Sequence, residues 1–244
     1  MATQERDQLF CFLDVLGFSS LVQSVGLESL YEKYRQLIQA VEKQQRDGMF
    51  FSARAGHPFF GYERIDSFYF SDTIIFWCPY DVHHLEALAN SLKEVLCRSI
   101  EIELPLRGAI SVGKARLNLD EKVFIGEPIV KAANAQKAQK WIGITLSNEF
   151  REPPFNGGFK ADCFLQYERH LKEGGVSQVT PLVIDFPRQW RATRKESLVE
   201  AIQRLNKAPA FADYYVNTLE FVEFSGNSER WWEAHTRGSK VPHD

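Results

Sequence analysis

Residues 8–15, QLFCFLDV, form a nearly continuous apolar run of strand length, broken only by Asp14 near its end. A run this short and this apolar reads as a buried central strand. From Gly17 onward the spacing turns helical, with Leu30, Tyr34, Leu37, Ile38 and Val41 on one face, and the pattern stops near Asp47-Gly48. Met49 to Glu63, which holds Gly56, Pro58 and Gly61, reads as a loop. Ile65–Phe70 and Thr73–Cys78 are rich in strand formers and separated only by Ser71-Asp72, which predicts an antiparallel hairpin. After Pro79 a second helix follows, with Leu85, Leu88, Leu92, Val95 and Leu96 on one face. Pro105–Leu117 predicts a strand, Gly126–Lys140 a helix and Trp141–Leu146 a short strand.

The order strand, helix, strand, strand, helix, strand is the ferredoxin-like βαββαβ unit of an α+β fold. It puts the first strand mid-sheet, beside the hairpin. Two further helices, marked by Leu198, Ala201, Ile202 and Leu205 and by Phe211, Tyr215, Leu219 and Val222, form a C-terminal helical extension. We divide the chain into a catalytic domain over residues 1–187 and an extension with its tail over 188–244. The segment after Gly226, with Trp231 and Trp232, shows no clear pattern.

Composition narrows the partners. With 29 Lys and Arg against 32 Asp and Glu, the formal charge is −3, which gives no overall basic field for a nucleic-acid backbone. No apolar run approaches the roughly 20 residues of a membrane helix, and MATQERDQ lacks a signal-peptide core, so a cytoplasmic protein is expected. Cys11, Cys78, Cys97 and Cys163 include no CxxC pair and read as buried thiols of a reducing compartment. His83 and His84, at a helix start, read as structural.

Asp14 is the informative residue. A carboxylate ending an apolar strand costs several kcal/mol to bury without positive compensation. Asp72, in the turn of a hairpin placed beside that strand, supplies a second carboxylate. Two converging carboxylates repel unless a cation lies between them, and a hard divalent ion, Mg²⁺ or Mn²⁺, meets that need. On these residues alone a bland reading stands beside it: Asp14 caps the next helix and Asp72 is a turn aspartate.

The flanking residues favour the first reading. Phe12 to Phe18 reads FxDxxGF, which resembles the opening motif of class III nucleotide cyclases, where the strand-end Asp binds metal and the following turn receives the triphosphate. Phe70-Ser71-Asp72-Thr73-Ile74 is similar to the family's second metal-binding segment, and Arg107 to Gly113 to its next strand. Gly126 with Ala132-Ala133 is similar to its helix pattern GxxVNxAAR. The resemblance spans roughly residues 8–146 and implies a palm-type cyclase core. It implies two ions per site held by Asp14, Asp72 and the Val15 carbonyl, and substrate contacts from Leu16, Gly17, Phe18 and Ser19.

Where purine cyclases carry base-reading groups, this chain has Phe68 and Val123; the ribose-orienting Asn is Val130 and the transition-state Arg is Asn134. Arg107 and Lys131 are the candidate replacements for the missing charge, Phe68 or Tyr69 the candidates to stack on a base, and Asn134 a further substrate-binding position. A stand-alone domain with FLDVLGF, FSDTI and LRGAIS resembles the pyrimidine nucleotide cyclases of bacterial Pycsar antiphage systems. That resemblance implies cyclisation of UTP or CTP by a homodimer with active sites between subunits. It also implies a downstream effector linked by product rather than by contact. Two other readings stay open: a purine cyclase with different base-reading residues, and a degenerate cyclase fold that binds without turnover.

Overall fold

The computed structural model describes residues 6–46, 49–54, 57–62, 65–150, 163–205 and 209–236. In chain order the elements are β1 (Arg6–Val15), α1 (Phe18–Ser24), α2 (Leu27–Arg46), β2 (Met49–Arg54), β3 (His57–Tyr62), β4 (Asp66–Phe70) and β5 (Thr73–Pro79). Then come α3 (Val82–Glu101), β6 (Leu106–Asn118), β7 (Val123–Gly126), α4 (Glu127–Ala138) and β8 (Gly143–Ser147). The chain continues through β9 (Phe164–Gln166), β10 (Val179–Ile184), α5 (Phe186–Thr193), α6 (Leu198–Leu205) and α7 (Ala212–Thr236).

β1 lies between β5 and β6, antiparallel to both, and the main sheet runs β4-β5-β1-β6-β8-β10-β9, with β7 paired to the far part of β6. β1, α2, β4, β5, α3 and β6 are thus the expected βαββαβ unit. Beyond it α4 connects β6 to a parallel β8, and β10 and β9 close the edge antiparallel, so the whole is a mixed-sheet α+β fold.

Alternation along β1 divides the molecule. Leu9, Cys11, Leu13 and Val15 point into the main core, at most 1% exposed, where α2 contributes Leu30, Leu37 and Val41 and α3 contributes Leu85, Leu88 and Leu92. Phe10 points to the other face and joins a smaller cluster with Ile75, Trp77 and Ala132, against which Phe12, Phe68 and Phe124 pack. α4 lies on this second face. Asp81 caps α3 by accepting from the His84 N–H at 2.8 Å and also contacts the His84 ring, which accounts for that histidine structurally. All four cysteines are free and buried, and burial pushes the Cys97 thiol up to about 12, well away from a reactive range.

The loop expected over Met49–Glu63 is instead a two-stranded antiparallel sheet, β2 with β3, in a register that pairs Met49 with Tyr62 and Arg54 with His57. The aromatic pairs Phe50-Phe51 and Phe59-Phe60 carry strand propensity that outweighs the breakers. Pro58 is tolerated because both strands of an isolated ribbon are edges. The C-terminal segment also departs from expectation: α7 extends to Thr236, past the Gly226 where the pattern fades. Trp231 and Trp232 lie in its last turns, with side chains outside the described residues.

Candidate active site

Strand register builds the site. Phe70, Thr73, Asp14, Arg107 and Gly143 form one row across β4, β5, β1, β6 and β8, all on the second face. Asp14 sits where β1 ends. The hairpin carrying Asp72 is stitched to the same end, since the Val15 N–H donates to the Asp72 carbonyl at 3.0 Å. Ser71 takes φ 56°, the positive angle a two-residue hairpin loop requires at its first position.

Arg107 donates to Asp14 Oδ2 from Nε at 3.3 Å and from Nη2 at 3.1 Å, and Gln136 donates to the same oxygen from Nε2 at 3.2 Å. All three donors converge on Oδ2, and Oδ1 accepts nothing among the described residues. Burial pushes the Asp14 carboxyl above the ordinary range and the negative charge of Asp72 adds to the effect, while Arg107 and Gln136 oppose it. The compensation from Arg107 and Gln136 thus falls short of cancelling the effect of burial.

Among the described residues no three His, Cys, Asp or Glu side chains gather into a metal-binding cluster. The carboxylates this strand end offers are those of Asp14 and Asp72, near enough for the charge of Asp72 to raise the Asp14 carboxyl. That set suits Mg²⁺, or Mn²⁺ of the same hard type, which binds through one or two carboxylates and completes its shell with water and phosphate oxygens.

The other candidate residues divide. Gly17 takes φ 75°, which favours glycine, and Phe18 and Ser19 open α1, where N–H groups have no intrahelical partner. The Leu16 N–H is already given to the Pro105 carbonyl at 2.8 Å, and the residue is buried. Phe68 lies on the same face as Asp14, its ring 5.2 Å from that of Phe124. Tyr69 alternates to the opposite face and its hydroxyl donates to Glu42 at 3.4 Å, so only Phe68 of that pair shares a face with Asp14. Lys131 is tied to Glu127 at 2.7 Å and Glu149 at 3.0 Å rather than to either aspartate. Asn134 and Val130 are exposed on α4, away from the Pro128, Ala132, Ala135 and Gln136 stripe it buries.

Sequence reasoning missed Gln136 and Tyr214. Gln136 stands four residues after Ala132 on the buried stripe of α4, a polar residue where packing asks for a small apolar one, and that was its available signal. Tyr214 reaches Arg107 from α7, with its hydroxyl 3.5 Å from Nη1 and its ring centroid 5.7 Å from Cζ. No local pattern announces such a contact.

No protein-family model matches the chain, and no curated protein matches it in sequence. Solved structures give loose likenesses. The catalytic core of a rhodopsin-guanylyl cyclase with converted specificity, in complex with ATPalphaS, is 11% identical at a TM-score of 0.47, over 74% of this chain and 96% of that one. An adenylate cyclase from Trypanosoma brucei in its monomeric state is 10% identical at 0.43, over 75% and 91%. A bacterial light-regulated adenylyl cyclase is 10% identical at 0.41, over 84% and 57%.

Proposed function

We propose that the protein is a nucleotide cyclase that converts UTP or CTP to the 3′,5′-cyclic nucleotide and pyrophosphate. The observation that carries this reading is the pair Asp14 and Asp72 at one strand end, inside FxDxxGF and FSDTI, with Asp14 held on one oxygen and open on the other. Asp14, Asp72 and the Val15 carbonyl would hold two Mg²⁺ or Mn²⁺ ions. The chemistry such ions supply when bound is acidification of the ribose 3′-hydroxyl and neutralisation of charge on the α-phosphate.

The chain's own groups do the rest. With the Leu16 N–H given to Pro105, the backbone turn from Gly17 to Ser19 receives phosphate oxygens, Gly17 permitting their close approach. Arg107, beside Asp14, offers charge to the pentavalent phosphorus. The 3′-hydroxyl loses its proton to solvent as its oxygen forms the new bond to the α-phosphorus, the bond from that phosphorus to the oxygen bridging to the β-phosphate breaks, and pyrophosphate leaves with that electron pair.

Base preference follows from Phe68 and Val123. A purine edge there meets apolar surface, and each polar group left unpaired costs roughly 1–3 kcal/mol, or about one to two orders of magnitude in kcat/KM. Support for a homodimer comes from Phe70, 75% exposed in the row of Asp14, and Val130, 60% exposed on α4, which lies on that face. In the role that the Pycsar resemblance implies, the product would act in the cytoplasm on a separate effector.

The second reading, binding without turnover, draws on Lys131 being engaged by Glu127 and Glu149. Incubation with each of UTP, CTP, ATP and GTP plus Mn²⁺, read by mass spectrometry, decides. A cyclic pyrimidine product is expected; preference for a purine overturns the pyrimidine assignment, and no cyclic product from any of them overturns the cyclase.

A further inference from the structure

We propose that Tyr214, in the C-terminal extension, is a positioning residue that holds the Arg107 guanidinium against Asp14, making α7 part of the active site. The role rests on the cyclase reading, but the contacts stand without it. Arg107 spends Nε and Nη2 on Asp14 and turns Nη1 toward the Tyr214 hydroxyl at 3.5 Å, with its Cζ 5.7 Å from the ring centroid. A phenol that accepts one N–H while its ring faces the cation gives a guanidinium both of its preferred neutral partners. Without them, a long flexible side chain beside one carboxylate oxygen has many alternative rotamers.

Tyr214 is itself fixed. Its carbonyl accepts from the Thr218 hydroxyl at 2.6 Å, and Thr218 Oγ1 in turn accepts from the Ile142 N–H at 2.9 Å. Asn217 Nδ2 donates to the Lys140 carbonyl at 2.7 Å. Residues 140–142 run directly into Gly143, the strand partner of Arg107. One turn of α7 is thereby tied to the strand beside Arg107, and Tyr215 next to it is buried in the main core.

A second contact from the extension reaches the same end of β1. The Phe211 ring lies 3.0 Å from where a Cβ on Gly17 would stand. The extension therefore touches the proposed phosphate turn as well as the charge beside Asp14, and the two contacts come from residues three apart in sequence. Both residues also pack against the margin of the main core, beside the buried Tyr215 and Phe221.

The experiment pairs Tyr214→Leu and Tyr214→Phe with Arg107→Ala and the Arg107→Ala/Tyr214→Leu double variant, on the full chain. In the free proteins, ¹⁵N relaxation of the Arg107 Nε–H, assigned by its loss in Arg107→Ala, reports the order of the guanidinium. Steady-state kinetics with UTP, CTP and Mn²⁺ report its consequence. We expect Tyr214→Leu to lower Nε–H order and to cut kcat/KM by about tenfold to a hundredfold, the scale of a displaced catalytic group. Tyr214→Phe, which keeps the ring, falls between, and Tyr214→Leu adds no further loss in the Arg107→Ala background. Unchanged Nε–H order in both Tyr214 variants, or losses that multiply in the double variant, overturn the proposal. If the wild type makes no cyclic product, the function fails, while the relaxation measurement still decides whether Tyr214 holds Arg107.

Discussion

The two faces of the sheet share strand β1 and use it differently. Leu9, Cys11, Leu13 and Val15 are sealed beneath α2 and α3, whereas on the opposite face α4 covers only part, leaving Phe70 75% exposed and Asp14 within reach of solvent. One strand thus supplies the main core through its odd residues, and through its even ones a smaller cluster at Phe10 and Phe12 and then Asp14. The sealed face can tolerate no carboxylate; the half-open one carries Asp14 because water, Arg107 and Gln136 share the compensation. The separation makes loss of function and loss of fold independently measurable.

The largest expected effect comes from the open face. Asp14→Ala and Asp72→Ala should each lower cyclic-nucleotide formation by about a thousandfold or more, the scale seen when a central catalytic group is removed, while the folded state persists. Activity and circular dichroism on the same samples check this. Either variant retaining near-normal turnover would remove that aspartate from the site. Leu13→Ala, next to Asp14 in sequence but on the sealed face, should instead destabilise by roughly 2–5 kcal/mol through lost burial and a residual cavity, measured by urea denaturation. If Leu13→Ala proved neutral to stability, the two faces would not divide as described.

A smaller effect tests how much fold the open face contributes. Phe124 meets Phe68 at 5.2 Å and Trp77 at 5.4 Å, but is only half-buried. Phe124→Ala should cost about 1–2 kcal/mol, less than Leu13→Ala, because fewer contacts are lost and water can fill the space. A cost equal to that of Leu13→Ala would make the second cluster a core in its own right.

Much of this division was legible from residue pattern. The apolar run of β1, the two-residue turn at Ser71-Asp72 and the helical spacing of α3 are local signals that tertiary structure does not override. Asp14 stood out because a charge in such a run needs a reason. The β2–β3 ribbon was hidden because Gly56, Pro58 and Gly61 read as breakers, although strands that are all edge accommodate them. β9 spans only Phe164–Gln166, too short for a period to show. Gln136 showed as a misplaced polar residue without a target, and Tyr214 did not show at all. It meets Arg107 from 107 positions along the chain, through a packing that no window of sequence contains. Lys131 and Tyr69 show the opposite case: residue type suggested chemistry, and the structure gives each a neighbouring carboxylate, Glu127 and Glu42.

Two arginine–carboxylate pairs bring the comparison to its finest scale. On the outer side of α3, Arg194 grips Glu94 with two donors on two oxygens, Nη2 to Oε1 at 2.5 Å and Nη1 to Oε2 at 2.7 Å, and Gln189 adds a third at 3.4 Å. Burial alone would raise the Glu94 carboxyl, but the Arg194 hydrogen bonds and charge outweigh it and hold the group below its ordinary value. On the open face Arg107 and Gln136 reach only one oxygen of Asp14, burial and Asp72 win, and the shift has the opposite sign. In the first pair the arginine outweighs burial; in the second burial outweighs the arginine. For Glu94, a folded value below the unfolded one means that its stabilisation is fully present above the unfolded range and is lost as pH falls through it toward the folded value. Glu94→Gln should therefore lower stability by about 0.5–1 kcal/mol at neutral pH, a modest figure because the side chain is 35% exposed and screened by solvent. The gap between wild type and variant should then narrow as pH drops below about 5, into the range where an unfolded glutamate takes up its proton. Urea midpoints measured from pH 7 to about pH 3 follow that gap. A gap that stays constant over the whole range would show that Arg194 does not hold Glu94 ionised, and the contrast with Asp14 would lose one of its two terms.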